Sequence, residues 1–276
     1  MSFSKPTFQS IFMNKPSVSL IITTYNWPDA LRLCLKSVLE QKVFPNEVII
    51  ADDGSDFNTK SLIEVFQKDF PVPLIHIWQE DNGFQLSKIR NKAIKKAQFD
   101  YIVQIDGDLI LNKHFIEDHI KFAKKNQFTR GCRVRIGKKT SELLLKSKSI
   151  NFSLLNRDIK YRHHGVRNYL FAKIAAKPKL NPHKMLGCNM GYWREDALNA
   201  NGYENNLVGW GHEDEEFATR LVNNNLFKLK IKHHAIVYHI YHKENIRNNE
   251  VEHKLLIKKA LEGKIKKAQD GINELD

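Results

Sequence analysis

Cysteine is scarce in this chain. Its three residues, Cys34, Cys132 and Cys188, are scattered over 276 positions and form no CxxC pair. That spacing argues against a disulfide framework and a thiolate zinc site, and makes a reducing cytoplasm the expected compartment. Long apolar runs are also lacking. Nothing approaches the roughly 20 apolar residues of a membrane-spanning helix, and Met1 to Pro16 has no apolar centre of the kind a signal peptide carries. No Gly-rich, lysine-bearing phosphate loop lies near residue 25, which counts against a nucleotidyltransferase. Internal repeats and low-complexity tracts are absent. What remains, 42% hydrophobic and 27% charged, suits one large folded domain or two small ones.

Positive charge is abundant and unevenly placed. The net charge is +13. From Lys121 to Lys184 there are 18 Lys and Arg against two acids, Glu142 and Asp158, so this stretch carries +16 and the rest of the chain −3. A concentrated basic field favours anionic partners: nucleic acid, acidic lipid or a phosphorylated substrate.

Apolar runs and amphipathic stretches alternate along the first hundred residues. Val18 to Thr23, Glu47 to Ala51, Leu74 to Trp78 and Tyr101 to Ile105 read as strands. Between them, Asp29 to Gln41, a segment around Leu62, Val65 and Phe66, and Leu86 to Ala97 read as helices, the first with Leu31, Leu35, Val38 and Leu39 on its inner face. This alternation predicts an α/β fold with an open, mostly parallel sheet. In such sheets ligands bind beyond the carboxyl ends of the strands. Thr24-Tyr25-Asn26, Asp52-Asp53-Gly54-Ser55, Asp81-Asn82-Gly83 and Asp106-Gly107-Asp108 each follow a strand, so four polar loops should converge on one crevice.

Farther along, the pattern predicts helices over Phe115 to Lys125, Arg194 to Ala200 and Glu213 to Asn224, and strands over Gly131 to Ile136, Met190 to Trp193 and Ala235 to Tyr238. Residues 140 to 180 show little clean periodicity. The tail from Asn249 reads as a basic amphipathic helix, with Val251, Leu255, Leu261, Ile265 and Ile272 on its apolar side.

Two carboxylates one residue apart at a strand end, Asp106 and Asp108, suit a hard divalent cation such as Mg2+ or Mn2+, which takes carboxylate oxygens together with substrate phosphates. Asp-Gly-Asp alone also describes a turn. The convergence of the other three loops favours the metal.

The strand ending in Thr-Tyr-Asn, the strand ending in Asp-Asp-Gly-Ser and the Asp106-Gly107-Asp108 triplet together resemble the family 2 glycosyltransferases. Gly187-Cys188-Asn189-Met190-Gly191-Tyr192-Trp193-Arg194-Glu195-Asp196, followed by Gly209-Trp210-Gly211-His212-Glu213-Asp214-Glu215, resembles the C-terminal motif of β-galactosyltransferases and of bacterial chondroitin-polymerase-type enzymes. Asp81-Asn82-Gly83-Phe84 with Arg90-Asn91 is similar to the latter. The resemblance covers roughly residues 17 to 245. It implies a GT-A fold with a nucleotide-sugar-binding half (17–112) and an acceptor and catalytic half (113–245), flanked by an extension (1–16) and the basic C-terminal helix (246–276).

The resemblance also implies site roles. Thr23, Tyr25, Asp52 or Asp53, Asn82, Arg90, Asp106 and Gly107 are expected around the nucleotide of a UDP-sugar. A carboxylate can accept from the uracil N–H, and a guanidinium matches phosphate geometry. Asp106 and Asp108 are expected at a Mn2+ or Mg2+ ion, with Asp106 alternatively on the ribose or bound through water. His239 is expected to complete the ligands, with His242 as the alternative. Asp214 is the expected general base of an inverting transfer, although a carboxylate at a helix start also serves as a cap. Asn189, Trp210, Gly211 and Glu213 are expected to bind sugar or acceptor. His212 stands where galactosyltransferases often carry Gly. The expected partners are a UDP-sugar, with galactose or N-acetylgalactosamine favoured, a saccharide or lipid-linked acceptor, and an anionic membrane surface that the basic segment would dock on from the cytoplasm. A nucleic-acid-binding protein is the competing reading of the +16 segment. The acidic strand-end loops and the lack of a nucleic-acid fold signature argue against it.

Overall fold

Three strand–helix units and a fourth strand open the computed structural model, which describes residues 15–209, 211–243 and 249–275. Strands β1 (Val18–Thr24), β2 (Glu47–Asp52), β3 (Leu74–Trp78) and β4 (Tyr101–Asp106) alternate with helices α1 (Pro28–Leu39), α2 (Phe57–Gln67) and α3 (Leu86–Lys96). Every residue of β1 and β2 is buried, as expected for central parallel strands covered on both faces. Pro28 opens α1 and Asp29 sits in its first turn, both favourable at a helix start. Leu31, Leu35 and Val38 are buried as expected. Leu39 and, on α2, Val65 are exposed instead, because each lies at the margin of its helix's apolar stripe.

After β4 the chain forms β5 (Leu109–Leu111), α4 (Phe115–Phe122), β6 (Gln127–Arg130), β7 (Cys132–Ile136) and α5 (Lys138–Ser147). The aperiodic stretch that follows contains β8 (Ile159–Lys160), a 3₁₀ turn (Arg162–Gly165) and α6 (Tyr169–Ala175). Then come β9 (Asn189–Trp193), α7 (Arg194–Asn199), α8 (Glu213–Asn223), β10 (Phe227–Lys230), β11 (Ile236–His239) and α9 (Glu250–Glu262).

The main sheet has the order β10-β6-β9-β4-β1-β2-β3. Within it β9 runs antiparallel to both neighbours, β4 and β6. A second sheet, β5-β11-β7-β8, stands beside it. The chain passes from β6 in one sheet to β7 in the other through Gly131 alone. A Cβ there would lie 2.4 Å from the Asn189 side chain and 2.5 Å from the Ala235 carbonyl, so only glycine fits the crossing.

The tail departs from the expected single helix. Its helix ends at Glu262, and Ala268, Ile272 and Leu275 then fold back into the body. The buried face of α9 is His253, Ile257 and Ala260, while Val251, Leu255 and Ile265 stay exposed. Contact with α8 decides which face is covered, and the apolar count alone picked the other side.

Helix α8 is fixed from within by a fully buried Arg220. Its Nε and Nη2 donate to the Glu216 carboxylate at 2.7 Å, and its Nη1 donates to the Ala200 and Gly202 carbonyls at 2.6 Å. Removing one partner of a buried ion pair strands the other charge, at about 3–5 kcal/mol. Arg220→Met should therefore lower the unfolding free energy in urea by about that amount, and Arg220→Met with Glu216→Leu should recover most of the loss. Equal losses in the single and double variants would show that the pair is not what holds α8.

Candidate active site and metal centre

The carboxyl ends of β1, β2 and β4 open into a cleft of about 1120 Å³, walled on the far side by β7, β8, β11 and the start of α8. Thr23, Tyr25, Asp53, Arg90, Asp106, Gly107, Asp108, Gly211, Glu213, Asp214, His239 and His242 all line it. Asp52, Asn82 and Asn189 do not.

Asp108 meets two imidazoles from the end of β11. Its Oδ2 lies 3.3 Å from His239 Nε2 and 3.1 Å from His242 Nε2. One ligand atom from each of the three residues falls within 4.8 Å of the others. Among the described residues this is the cluster able to hold a metal ion. Asp108 Oδ1 is buried and has no hydrogen-bond partner in the fold. One carboxylate with two imidazole nitrogens, plus such an orphaned oxygen, fits a first-row divalent cation that keeps further positions for phosphate oxygens. Burial works against ionisation of Asp108, but the two histidines outweigh it and hold the carboxyl below its ordinary value. Burial pushes His239 down, and the hydrogen bond to Asp108 pulls His242 up. The fold thus brings both histidine alternatives to the same point.

Asp106 is placed differently. Its Oδ1 accepts from Thr23 Oγ1 at 2.8 Å and from Arg90 Nη2 at 3.2 Å, and it is not a member of the three-residue cluster. Arg90 is almost completely buried, and its other terminal nitrogen, Nη1, donates to Glu213 Oε1 at 3.0 Å. Both terminal nitrogens are engaged by protein carboxylates. Arg90 lines the cleft and bridges the end of β4 and the start of α8.

Glu213 is left with Oε2 buried and unpartnered at the cleft wall. Burial and the adjacent Asp214 push its carboxyl above the ordinary value, against the pull of Arg90. Asp214 follows in the first turn of α8, and its Oδ2 accepts the Gly187 backbone N–H at 2.7 Å. A Cβ on Gly187 would stand 3.1 Å from the Asp214 Cβ and 3.2 Å from Arg90 Nη2. Because β9 runs backwards, the loop before it reaches the cleft, and this glycine lets its backbone approach both groups. His212, at the N-cap of α8, has φ 74°, a left-handed conformation that glycine adopts more readily. The departure from Gly noted in the motif falls at this position.

On the opposite wall, Asp53 accepts from Gln79 Nε2 at 2.6 Å and from the Gln85 N–H at 3.0 Å. Burial raises its carboxyl to about 6 despite these bonds. Tyr25 is 50% exposed and donates to Asp81 Oδ2 at 2.9 Å. Asp52, by contrast, is completely buried, with Oδ1 holding the Ser55 N–H and Oδ2 at His76 Nε2. Of the pair, Asp53 is the one at the cleft. Asn82 is exposed on its turn, away from the cleft lining.

Asn189 is also reassigned. It is completely buried, donates to the Cys132 and Ala235 carbonyls, and accepts from His119 Nε2. It joins the two sheets and does not reach an acceptor. Trp210 lies outside the described residues. Sequence reading missed Arg133, Arg135 and Lys160, which line the cleft on β7 and β8. The alternation of Arg133 and Arg135 was the available signal, but it needed the register of β8 to become a wall. It also missed His253, which faces the Gly211 and Val208 carbonyls at 2.6 and 3.2 Å and ties α9 to the loop before α8. No local pattern marks that contact.

The family model for glycosyl transferase family 2 matches residues 19–197, and that for the N-terminal domain of galactosyltransferase matches residues 169–243. The chondroitin synthase of Escherichia coli is 24% identical over 241 residues, which is 80% of this chain and 34% of that protein. The chain thus spans about a third of that relative's length. The mannosyltransferase PcManGT from Pyrobaculum calidifontis, in complex with GDP-Man and Mn2+, superposes with a TM-score of 0.58 at 17% identity, over 84% of this chain and 59% of that one. Residues 1–349 of TarS from S. aureus, in complex with UDP, superpose with a TM-score of 0.60 at 18% identity, over 87% of this chain and 64% of that one. These likenesses identify the fold as GT-A.

Calorimetric titration with Mn2+ should show binding that weakens by about tenfold or more in each of Asp108→Ala, His239→Ala and His242→Ala. Imidazoles ligate only when deprotonated, so affinity should fall on acidification as the two histidines take up protons. Unchanged binding in all three variants would remove this cluster from consideration.

Proposed function

The chain belongs to glycosyl transferase family 2, and we propose that it is a metal-dependent inverting glycosyltransferase that moves a sugar from a UDP-sugar to a hydroxyl of a saccharide or lipid-linked acceptor. The observation that carries this reading is one cleft holding a carboxylate–bis-imidazole cluster on one wall and an anchored carboxylate, Asp214, on another. The neighbours bound to UDP, or to GDP-Man with Mn2+, support the donor class and the cation.

Thr23, Tyr25 and Asp53 bind the nucleoside, with the Asp53 carboxylate accepting the uracil N–H and the exposed Tyr25 ring packing on the base. Asp108, His239 and His242 would hold Mn2+ or Mg2+, whose charge neutralises the departing diphosphate. Asp214, oriented by the Gly187 N–H, takes the proton from the acceptor hydroxyl as that oxygen attacks the anomeric carbon. The bond from that carbon to the diphosphate oxygen breaks, and UDP leaves. Attack opposite the leaving group inverts the anomeric configuration. Glu213 Oε2, buried and unpartnered, hydrogen-bonds a sugar hydroxyl. Galactose and N-acetylgalactosamine are the favoured sugars, and the kinship with chondroitin synthase supports polysaccharide synthesis as the setting.

The basic segment divides into two surfaces. Arg133, Arg135, Lys138 and Lys160 line the cleft. At the other end of β11, α6 packs beside His233 and His234 and exposes Leu170, Phe171 and Ile174 next to Lys177 and Lys179. Apolar side chains flanked by lysines suit the interface of an anionic membrane. Among the described residues no helix is long and apolar enough to cross one.

UDP release from a panel of UDP-sugars with Mn2+ tests the enzyme. Asp214→Asn should lower kcat by about 10²–10⁴-fold with little change in donor KM. If no donor is bound or turned over, and Asp108→Ala alters nothing, the reading fails. Uridine binding, measured without metal, should weaken as pH falls through about 6, where Asp53 gains its proton. Asp53→Asn should flatten that slope, and a slope that survives places the titrating group elsewhere. Co-sedimentation with phosphatidylglycerol vesicles should be lost at high salt and in Leu170→Asp with Phe171→Asp. Equal binding to neutral vesicles would rule out the electrostatic part.

A further inference from the structure

Gln104 is a polar side chain in the middle of an apolar strand. It lies on β4 between Val103 and Ile105, pairs with Ile21 on β1 and Met190 on β9, and is completely buried. An amide left unbonded there would destabilise the sheet. Side chains alternate along a strand, so Gln104 shares a face with Ile102 and with Asp106, one pleat below the cleft. The apolar cluster on that face includes Ile102, Tyr192, Tyr203 and Phe217.

Both ends of the amide are bonded. Nε2 donates to the Gly187 carbonyl at 3.0 Å and lies 3.0 Å from Tyr203 Oη. Oε1 accepts from Tyr192 Oη at 2.9 Å and from Tyr203 Oη at 3.1 Å. A carbonyl only accepts, so the Gly187 oxygen fixes the nitrogen on its side of the amide. Burial pushes both phenols above their ordinary value, which keeps them protonated and able to donate. Their rings pack on Phe217, one turn along α8 from Asp214. Gly187, just before β9, is the link to the cleft. Its carbonyl is held by Gln104, and its N–H is donated to Asp214 Oδ2 at 2.7 Å. A glycine backbone turns freely unless something holds it.

We propose that Gln104 is a positioning residue for the carboxylate that takes the proton: by fixing the Gly187 carbonyl it keeps the Gly187 N–H on Asp214. This rests on the glycosyltransferase reading above and adds the support of the base to it. One strand, β4, then leads to Asp108 at its end and steadies Asp214 from its middle. Gln104 itself does not line the cleft, so it acts only through Gly187.

Gln104→Leu removes the donor at similar size. Its kcat for UDP-sugar turnover with Mn2+ should fall about 10- to 100-fold, because a small displacement of a reacting group is enough for that. Donor KM and the calorimetric affinity for UDP with Mn2+ should stay within about twofold. Hydrogen exchange at the Gly187 N–H, read by NMR, should speed up about tenfold or more while the amides of β1 keep their rates. Gln104→Glu gives a second test that survives poor folding of the first. Protonated, its carboxyl can donate to the Gly187 carbonyl; ionised, it cannot. The ratio of its kcat to that of the unaltered protein should therefore fall as pH rises. Tyr192→Phe removes a bond to the amide oxygen and leaves the donor in place, so its kcat should hold within about twofold. An unchanged kcat in Gln104→Leu overturns the proposal, as does a flat ratio in Gln104→Glu. An equal loss in Tyr192→Phe also overturns it, since loosening of the core would then explain both. Failure of the glycosyltransferase reading has a different signature: the unaltered protein would turn over no UDP-sugar at all.

Discussion

The cleft depends on one buried cation. Arg90 leaves α3 below the floor of the site and spends its guanidinium on Asp106 at the end of β4 and on Glu213 at the start of α8. Tyr203 supports it from the side, with the ring centroid 5.3 Å from the guanidinium carbon. Three carboxylates, Asp106, Glu213 and Asp214, crowd this region, and without the arginine their mutual repulsion and desolvation would open it. The bridge also spans the two halves of the fold, because β4 belongs to the initial strand–helix alternation and α8 follows the reversed strand. It therefore ties the strand that leads to Asp108 to the helix that carries Asp214.

Around that bridge the two sheets divide the work. The main sheet carries the proposed nucleoside wall at the ends of β1 and β2. The second sheet carries His239 on β11 and the cleft-lining Arg133, Arg135 and Lys160 on β7 and β8. Asn189 and Gly131 hold the sheets together, the first by donating to backbone carbonyls of Cys132 and Ala235, the second by having no side chain where they cross. Side chains on separate sheets keep a fixed relation only if that junction is rigid. A fully buried, fully bonded asparagine is well suited to make it so.

Much of this was legible in the chain because parallel sheets obey a simple rule. Polar residues after a buried strand end up at one edge, and Tyr25, Asp53, Asp106 and Asp108 were found that way. The rule has no means of separating neighbours, so it could not say that Asp52 turns inward to Ser55 and His76 while Asp53 faces the cleft. It also fails where a strand is reversed. The residues that matter around β9 precede the strand, and Asn189 at its start was misread for that reason. Sequence shows the charge of Arg90 and hides its bridging partners, above all Glu213 far along the chain. The misjudged face of α9 has the same origin, since its partner α8 decides what is covered.

The loop before α8 is braced by residues that come after it. His253 and Asn249 hold the Val208 carbonyl, His253 also reaches Gly211, and Asp270 bonds Asn205, which in turn bonds Asn91 on α3. Ribosomes deliver a chain from its amino end. The proposed nucleoside wall can assemble early from local strand–helix pairs. The loop before α8 is held from the earlier side by Asn91 and the Phe84 carbonyl, and gains its remaining braces only when α9 and the segment behind it have been made. The order of synthesis is thereby built into the site: the strands proposed to hold the nucleoside come first, and the bracing of the loop ahead of Asp214, the proposed base, is completed by the last part of the chain described.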